Sequence, residues 1–340
     1  MQTSNLGKQL TKLVSFFAFA LFCSQGFAQQ SSIDRIVIFG ASLTDSGNAF
    51  VWLADPANSN CGTQQNVPPY DALDDMLIPD GPYAKGGHHF SNGATWAEGL
   101  ARSLALAGNA RPAIRKGGKK ASNYAVGGAR AVDFFPCRFN LPAQVDTYIS
   151  DFGSATARTL VAIEIGGNDV RDALVAGLTR SGDPQQKIET ALMNLYLSIY
   201  RLYSEAGARR FLVLNVPDIG KSPAVRAIDQ SSGLPPGYIS GIAGALSNAY
   251  NAGLAATVSQ LEPLPDIDIR ILDIHQTLED VIAAPEDYGF SNVTDACVTP
   301  KQPPYKCEKP DEYIFWDGIH PTRALHAIVA QQAFVAITAP

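Results

Sequence analysis

The stretch RIVIFGASLTDSGN, Arg35 to Asn48, decides the fold. Ile36 to Phe39 is an unbroken apolar run, the pattern of a strand buried on both faces of a parallel sheet. Gly40 ends the run, and Ser42, Thr44, Asp45, Ser46, Gly47 and Asn48 follow as a turn that leads into a helix. A Ser at such a turn lies at the sheet edge, where backbone N–H groups and a helix N-terminus favour negative charge. Outward from here the alternation repeats. Strands are predicted at Arg35 to Phe39, Ala121 to Val126, Leu160 to Ile165, Phe211 to Val216 and Ile267 to Ile274, with Glu164 the one charge inside the third. Helices are predicted at Ala94 to Ala107, Gln185 to Ala206, Tyr238 to Leu261, His275 to Ala284 and Pro321 to Ile337. Gly207 stops the second of these. The expected fold is α/β, a three-layer sandwich around a five-stranded parallel sheet with flavodoxin-like winding.

Ligands of such sheets bind beyond the carboxyl ends of the strands. Four polar turns fall there: the one holding Ser42; Asn123 to Ala129, with Gly127 and Gly128; Gly166-Gly167-Asn168-Asp169; and Phe315 to Thr322, with Asp317 and His320. A glycine lets its N–H approach a substrate oxygen, and an Asn amide can donate to the same atom. Asp and His three residues apart let the carboxylate orient an imidazole whose other nitrogen reaches a Ser. Singly, each has a structural alternative. Ser42, Asn168 and Asp317 could cap helices, and Gly127-Gly128 could simply turn the chain. Together they favour nucleophilic catalysis. A nucleotide-binding module of the same winding is disfavoured, because the turn after strand one has no G-x-G-x-x-G and no phosphate-binding Lys.

These blocks resemble the GDSL, or SGNH, hydrolase family, in its branch of secreted lipases, phospholipase/acyltransferases and plant esterases. The similarity continues through Phe90-Ser91-Asn92-Gly93, Asn215-Val216-Pro217-Asp218 and Pro285 to Phe290, in the family's order. The resemblance implies the SGNH hydrolase fold and a carboxylic ester hydrolase that uses no cofactor and no metal. It implies Ser42 as nucleophile, His320 as general base and Asp317 as its orienting partner. The oxyanion donors would be Ser42 N–H, Gly128 N–H and the Asn168 side chain. Ala41 stands where the family usually has Asp, so weaker local support of the nucleophile turn is expected. A lipase or general esterase is the first expectation. A carbohydrate acetylesterase or phospholipase/acyltransferase is the alternative, and a catalytically silent binding protein is the rival outside enzymes.

Lys8 and Lys12, the apolar run Leu13 to Cys23 and the small residues around Ala28 read as a signal peptide over residues 1–28. A single hydrolase domain is expected over 29–340, secreted or periplasmic, with no transmembrane anchor. The chain has formal charge −6, and loss of the two lysines makes it more acidic. That argues against nucleic acid as partner, and the resemblance implies a small-molecule or lipid ester.

Without Cys23, four cysteines remain, with no C-x-x-C pair, which suggests two disulfides and no zinc. Cys297–Cys307 is expected because it encloses a short Pro-rich segment, and Cys61–Cys137 follows by elimination. Asp55 to His89 and Ser291 to Pro310 read as loop-rich insertions near the site's rim. His88 and His89 read as part of a solvated loop, and His275 as structural. His326 reads as facing solvent or core. Phe134, Phe135, Phe139 and Leu141 could line an acyl pocket or pack in the core.

Overall fold

The computed structural model describes residues 33–54, 78–79, 81–83, 87–114, 120–132, 139–300 and 306–339. Residues 1–28, Cys61, Cys137, Phe134 and Phe135 lie outside them.

Four strands form one parallel sheet in the order β1 (Arg35–Gly40), β2 (Thr159–Glu164), β3 (Arg210–Leu214) and β4 (Asp268–Leu272). Side chains alternate across it. Val37, Phe39, Val161, Ile163, Phe211 and Val213 face one core. There they meet α3 (Leu141–Phe152), α4 (Gly167–Thr179), α5 (Pro184–Ser204) and α7 (Tyr238–Leu261). Ile36, Ile38, Leu160, Ala162, Leu212 and Leu214 face the other, against α2 (Trp96–Ser103) and α9 (Arg323–Thr338). Apolar residues on both faces explain why these strands read as continuous hydrophobic runs. α1 (Asn48–Ala54), α6 (Pro223–Ser231) and α8 (Ile274–Ala283) complete the helices used here. No helix of the described residues is long and apolar enough to cross a membrane.

The five-strand expectation needs correction. The predicted strand at Ala121 to Val126 lies beside β1, and its hydrogen bonds are those of a parallel pair. Ile38 N donates to Ser122 O (2.9 Å), Tyr124 N to Ile38 O (2.8 Å) and Val126 N to Gly40 O (3.1 Å). It remains an isolated bridge at Asn123 rather than a strand. Side chains compete with the ladder here. Asn123 Oδ1 accepts Ala125 N (2.9 Å), and Asn48 Nδ2 donates to both Asn123 O and Ala125 O (2.8 Å each). Asn123 is bridged on its outer side by Pro112, with Ala113 N donating to Asn123 O (2.9 Å), so amide side chains and this short backbone bridge together close the sheet edge. Counted by position, the segment still gives the expected doubly wound order, 2-1-3-4-5.

Helix α7 has the predicted bounds, while α1, α3, α4 and α6 were not assigned from sequence. The stretch read as irregular holds a second, two-stranded parallel sheet, β5 (Asn292–Ala296) with β6 (Tyr313–Phe315). β6 leads directly into Asp317 and His320.

Cys297 and Cys307 form the expected disulfide, with Cα atoms 5.2 Å apart. Closing a loop of this length should contribute about 2–3 kcal/mol. Non-reducing peptide mapping should recover the two cysteines crosslinked, and a Cys297→Ser/Cys307→Ser variant should lose stability by that amount in urea. Recovery of Cys61 joined to either would overturn the pairing.

Candidate active site

β1 ends at Gly40, where a Cβ would lie 2.4 Å from Glu164 O, so only glycine lets the two strand ends approach. The Gln144 amide of α3 brackets this peptide, its Oε1 accepting Gly40 N and its Nε2 donating to Gly40 O, both at 2.9 Å. Ala41 N donates to Glu164 O (3.2 Å), and Ala41 O accepts Thr44 N (3.1 Å) and Asp45 N (3.0 Å). The turn carrying Ser42 is therefore held by backbone bonds without an acidic side chain at position 41.

The acid that organises the turn is Asp45. Its Oδ1 accepts Gly47 N (2.7 Å) and Asn48 N (2.6 Å), and its Oδ2 accepts Ala49 N (3.0 Å) and Gly127 N (2.8 Å). One fully buried carboxylate thus caps α1 and ties the Ser42 turn to the Gly127-Gly128 turn. Burial pushes its pKa up to about 6, against the pull of these N–H groups. Asp45→Ala would orphan the buried N–H groups of Gly47, Asn48 and Ala49 and break the bond to Gly127, and each unsatisfied donor costs about 1–3 kcal/mol. We expect a stability loss of ~3 kcal/mol or more by urea unfolding, with Asp45→Asn milder because it keeps one acceptor. Equal stability of Asp45→Ala and wild type would refute this role.

Ser42, His320 and Asp317 form one hydrogen-bonded line. His320 Nε2 is 2.8 Å from Ser42 Oγ, and Nδ1 is 2.8 Å and 3.0 Å from the two Asp317 oxygens. Asp317 and His320 are buried. Asp317 Oδ1 also accepts Ile319 N (2.9 Å) and His320 N (2.8 Å), so the turn that presents the imidazole folds around the carboxylate. Tyr83 Oη donates to Asp317 Oδ2 at 3.2 Å. The Phe90 ring packs on the imidazole, centroids 5.2 Å apart. With Asp317 accepting from Nδ1–H, Nε2 is left to accept from the Ser hydroxyl.

Asn168 lies in the first turn of α4, its Nδ2 donating to Ala129 O at 2.8 Å. That bond joins the third polar turn to the second and leaves the amide's other N–H for a ligand. Arg130 Nη2 donates to Asp172 Oδ1 (3.0 Å) and Ala131 N to Asp169 Oδ2 (3.0 Å), so α4 holds the whole 128–131 turn. Burial raises Asp169 to about 7. Gly128 has φ +79°, a left-handed backbone that favours glycine. An open cleft is bordered by Ser42, Asn168, Arg171 and His320, with Leu43, Pro217, Ile219, Val225, Leu278, Phe315 and Ile319 as apolar wall. Gly128 does not border it among the described residues, and neither do Phe139 and Leu141. Leu141 lies in the core and Phe139 packs beside Ala49, Phe90 and Val126.

The remaining histidines correct the sequence reading in part. His89 is not solvated but buried, and pairs with Glu98 at 2.8 Å, whereas His88 is half-buried and stacks on Phe50 at 3.6 Å. His275 is structural, its N–H donating to Asn215 Oδ1 (3.0 Å). His326 is buried. Asp45, Gln144, Tyr83 and Glu164 were missed as site residues. Glu164 had a signal, a lone acid in an apolar strand; the others had none that spacing could reveal.

The model of the GDSL-like lipase/acylhydrolase family matches residues 36–333. A GDSL esterase/lipase of Arabidopsis thaliana is 27% identical over 378 residues, covering 97% of this chain and 93% of that one. A second from the same plant is 29% identical and covers 90% and 86%. A thermolabile hemolysin of Vibrio parahaemolyticus is 25% identical, covering 89% of this chain and 64% of its own length.

Proposed function

The chain belongs to the GDSL-like lipase/acylhydrolase family and is a serine ester hydrolase, and we propose that Ser42, His320 and Asp317 are its catalytic triad. The observation that carries this reading is the unbroken relay, 2.8 Å from Ser42 Oγ to Nε2 and 2.8 Å from Nδ1 to Asp317.

His320 takes the Ser42 proton as Oγ attacks the ester carbonyl, and Asp317 supports the imidazolium that forms. Ser42 N–H, Gly128 N–H and the Asn168 amide stabilise the oxyanion. His320 then protonates the departing alcohol, leaving an acyl-enzyme that water cleaves by the same steps in reverse roles. No metal or organic cofactor takes part in this scheme.

The apolar wall of the cleft supports an ester with an aliphatic or aromatic limb, a lipase or general esterase substrate, over an acetylated sugar. The protein is an exported single-domain enzyme in this reading, supported by the signal-like N-terminus and by a disulfide suited to an oxidising compartment. A fluorophosphonate probe tests the assignment: it should label Ser42, as located by peptide mapping. Folded protein that stays unlabelled would instead support a silent binding protein.

A further inference from the structure

Two buried ionisable groups beside the cleft have no part in the ester chemistry. Glu164, at the end of β2 opposite Gly40, is 4% exposed, and His326 of α9 is 3% exposed. Trp96 links them. Its indole Nε1 donates to Thr44 Oγ1 (2.9 Å), whose hydroxyl donates to Glu164 Oε2 (3.0 Å). Its backbone N donates to His326 Nδ1 at 3.3 Å. Both Trp96 groups only donate, which fixes every proton in the chain. Thr44 must give its hydrogen to Glu164, and the neutral imidazole of His326 must carry its proton on Nε2.

Burial sets the charge states. It lowers His326 to about 3, helped by the nearby His89 and His320, and raises Glu164 to about 7. Near neutral pH His326 is uncharged, and burial favours the protonated form of Glu164. Because Oε2 accepts from Thr44, that proton sits on Oε1. Among the described residues His326 Nε2–H makes no hydrogen bond, while the Glu164 carboxyl, beside Thr44, also meets Ala41 N–H.

Both residues border a small chamber of about 70 Å³ whose other walls include Leu214, Ile274, Leu325 and Val329. The remaining hydroxyl on its wall, Thr277, is occupied by Asp273 O (2.9 Å) and Gln332. Glu164, Leu43, Pro217, Leu278, Phe315 and Ile319 border this chamber and also the cleft holding Ser42 and His320. The chamber thus adjoins the cleft, an arm apolar except for Glu164 and His326 and the occupied Thr277.

We propose that this arm is a specificity subsite for one limb of the ester, a limb carrying an acceptor oxygen such as an ether, ketone or hydroxyl, which Glu164 and His326 bind. The inference rests on the ester-hydrolase reading. Its physical basis is that buried polar groups in an apolar cavity call for partners. A site built to hydrogen-bond a ligand also discriminates strongly against the analogue that leaves its groups unpaired.

The test compares isosteric pairs. In one arm, p-nitrophenyl esters of pentanoic to octanoic acid are set against analogues with one methylene replaced by an ether oxygen. In the other, alkyl acetates are set against the same replacement in the alcohol. Each kcat/KM is divided by the ester's alkaline hydrolysis rate. Wild type should prefer an oxygen-bearing member by about tenfold or more in one arm, which identifies the limb bound. Glu164→Leu and His326→Phe should each bring that ratio towards one. Glu164→Gln should restore it, since Gln can accept from Thr44 and still donate into the chamber. A wild-type ratio near one in both arms would overturn the proposal, as would variants that slow both members equally and keep the ratio. Failure of wild type to cleave any of these esters would instead sink the ester-hydrolase reading.

Discussion

Ser42→Ala should yield a folded protein that has lost nearly all hydrolysis, a fall in kcat of ~10⁴–10⁶-fold, because nucleophile and base act as a unit. The expected retention of fold has a structural reason. Ser42 Oγ makes its bond to His320 Nε2, whereas the turn itself is held by Asp45, by Gln144 on Gly40 and by Ala41 N to Glu164 O. His320 keeps its two contacts to Asp317 in the variant. Thermal unfolding should therefore change little, while turnover of a p-nitrophenyl ester vanishes. Purified Ser42→Ala that keeps a tenth of wild-type turnover would exclude Ser42 as nucleophile.

Asn168→Ala carries the second largest expected effect, a fall in kcat of ~10²–10³-fold with KM nearly unchanged. The amide's bond to Ala129 O positions it, so its remaining N–H is oriented before substrate arrives. A preoriented donor gains most where charge develops, in the oxyanion, and little against the neutral ground-state carbonyl. A variant defective in KM alone would make Asn168 a ground-state binding residue. Because the same amide also steadies the 128–131 turn, unfolding is measured in parallel. A folded variant with lost kcat isolates the electrostatic contribution.

Much of the fold is legible in the chain because its signals are local. Ile36 to Phe39 and Leu160 to Ile165 read as strands through unbroken apolar runs. The helix Tyr238–Leu261 is legible at its bounds as a long Ala-rich stretch. The helices around Val145, Val170 and Val225 are less legible because each opens on a proline or glycine that by itself reads as loop. The segment Ala121 to Val126 is reduced to bridges by non-local contacts: Asn48, 75 and 77 residues away, donates to the carbonyls of Asn123 and Ala125, and Ala113 N also donates to Asn123 O.

Sequence by itself determines which residues stand at strand ends: Ser42, Gly128, Asn168, Asp317 and His320 all occupy turns that local composition announces. It also determines that His320 can fold back on Asp317, since three residues suffice for that contact. Tertiary structure alone decides that this imidazole meets Ser42, 278 residues earlier, and that Asp45 reaches Gly127 across 82 residues. It alone turns Glu164 and His326, on β2 and α9, towards one chamber. The physical reason is that such contacts form only after the parallel sheet has closed its long crossovers, and the hydrophobic packing that closes them leaves no mark at the residues it brings together.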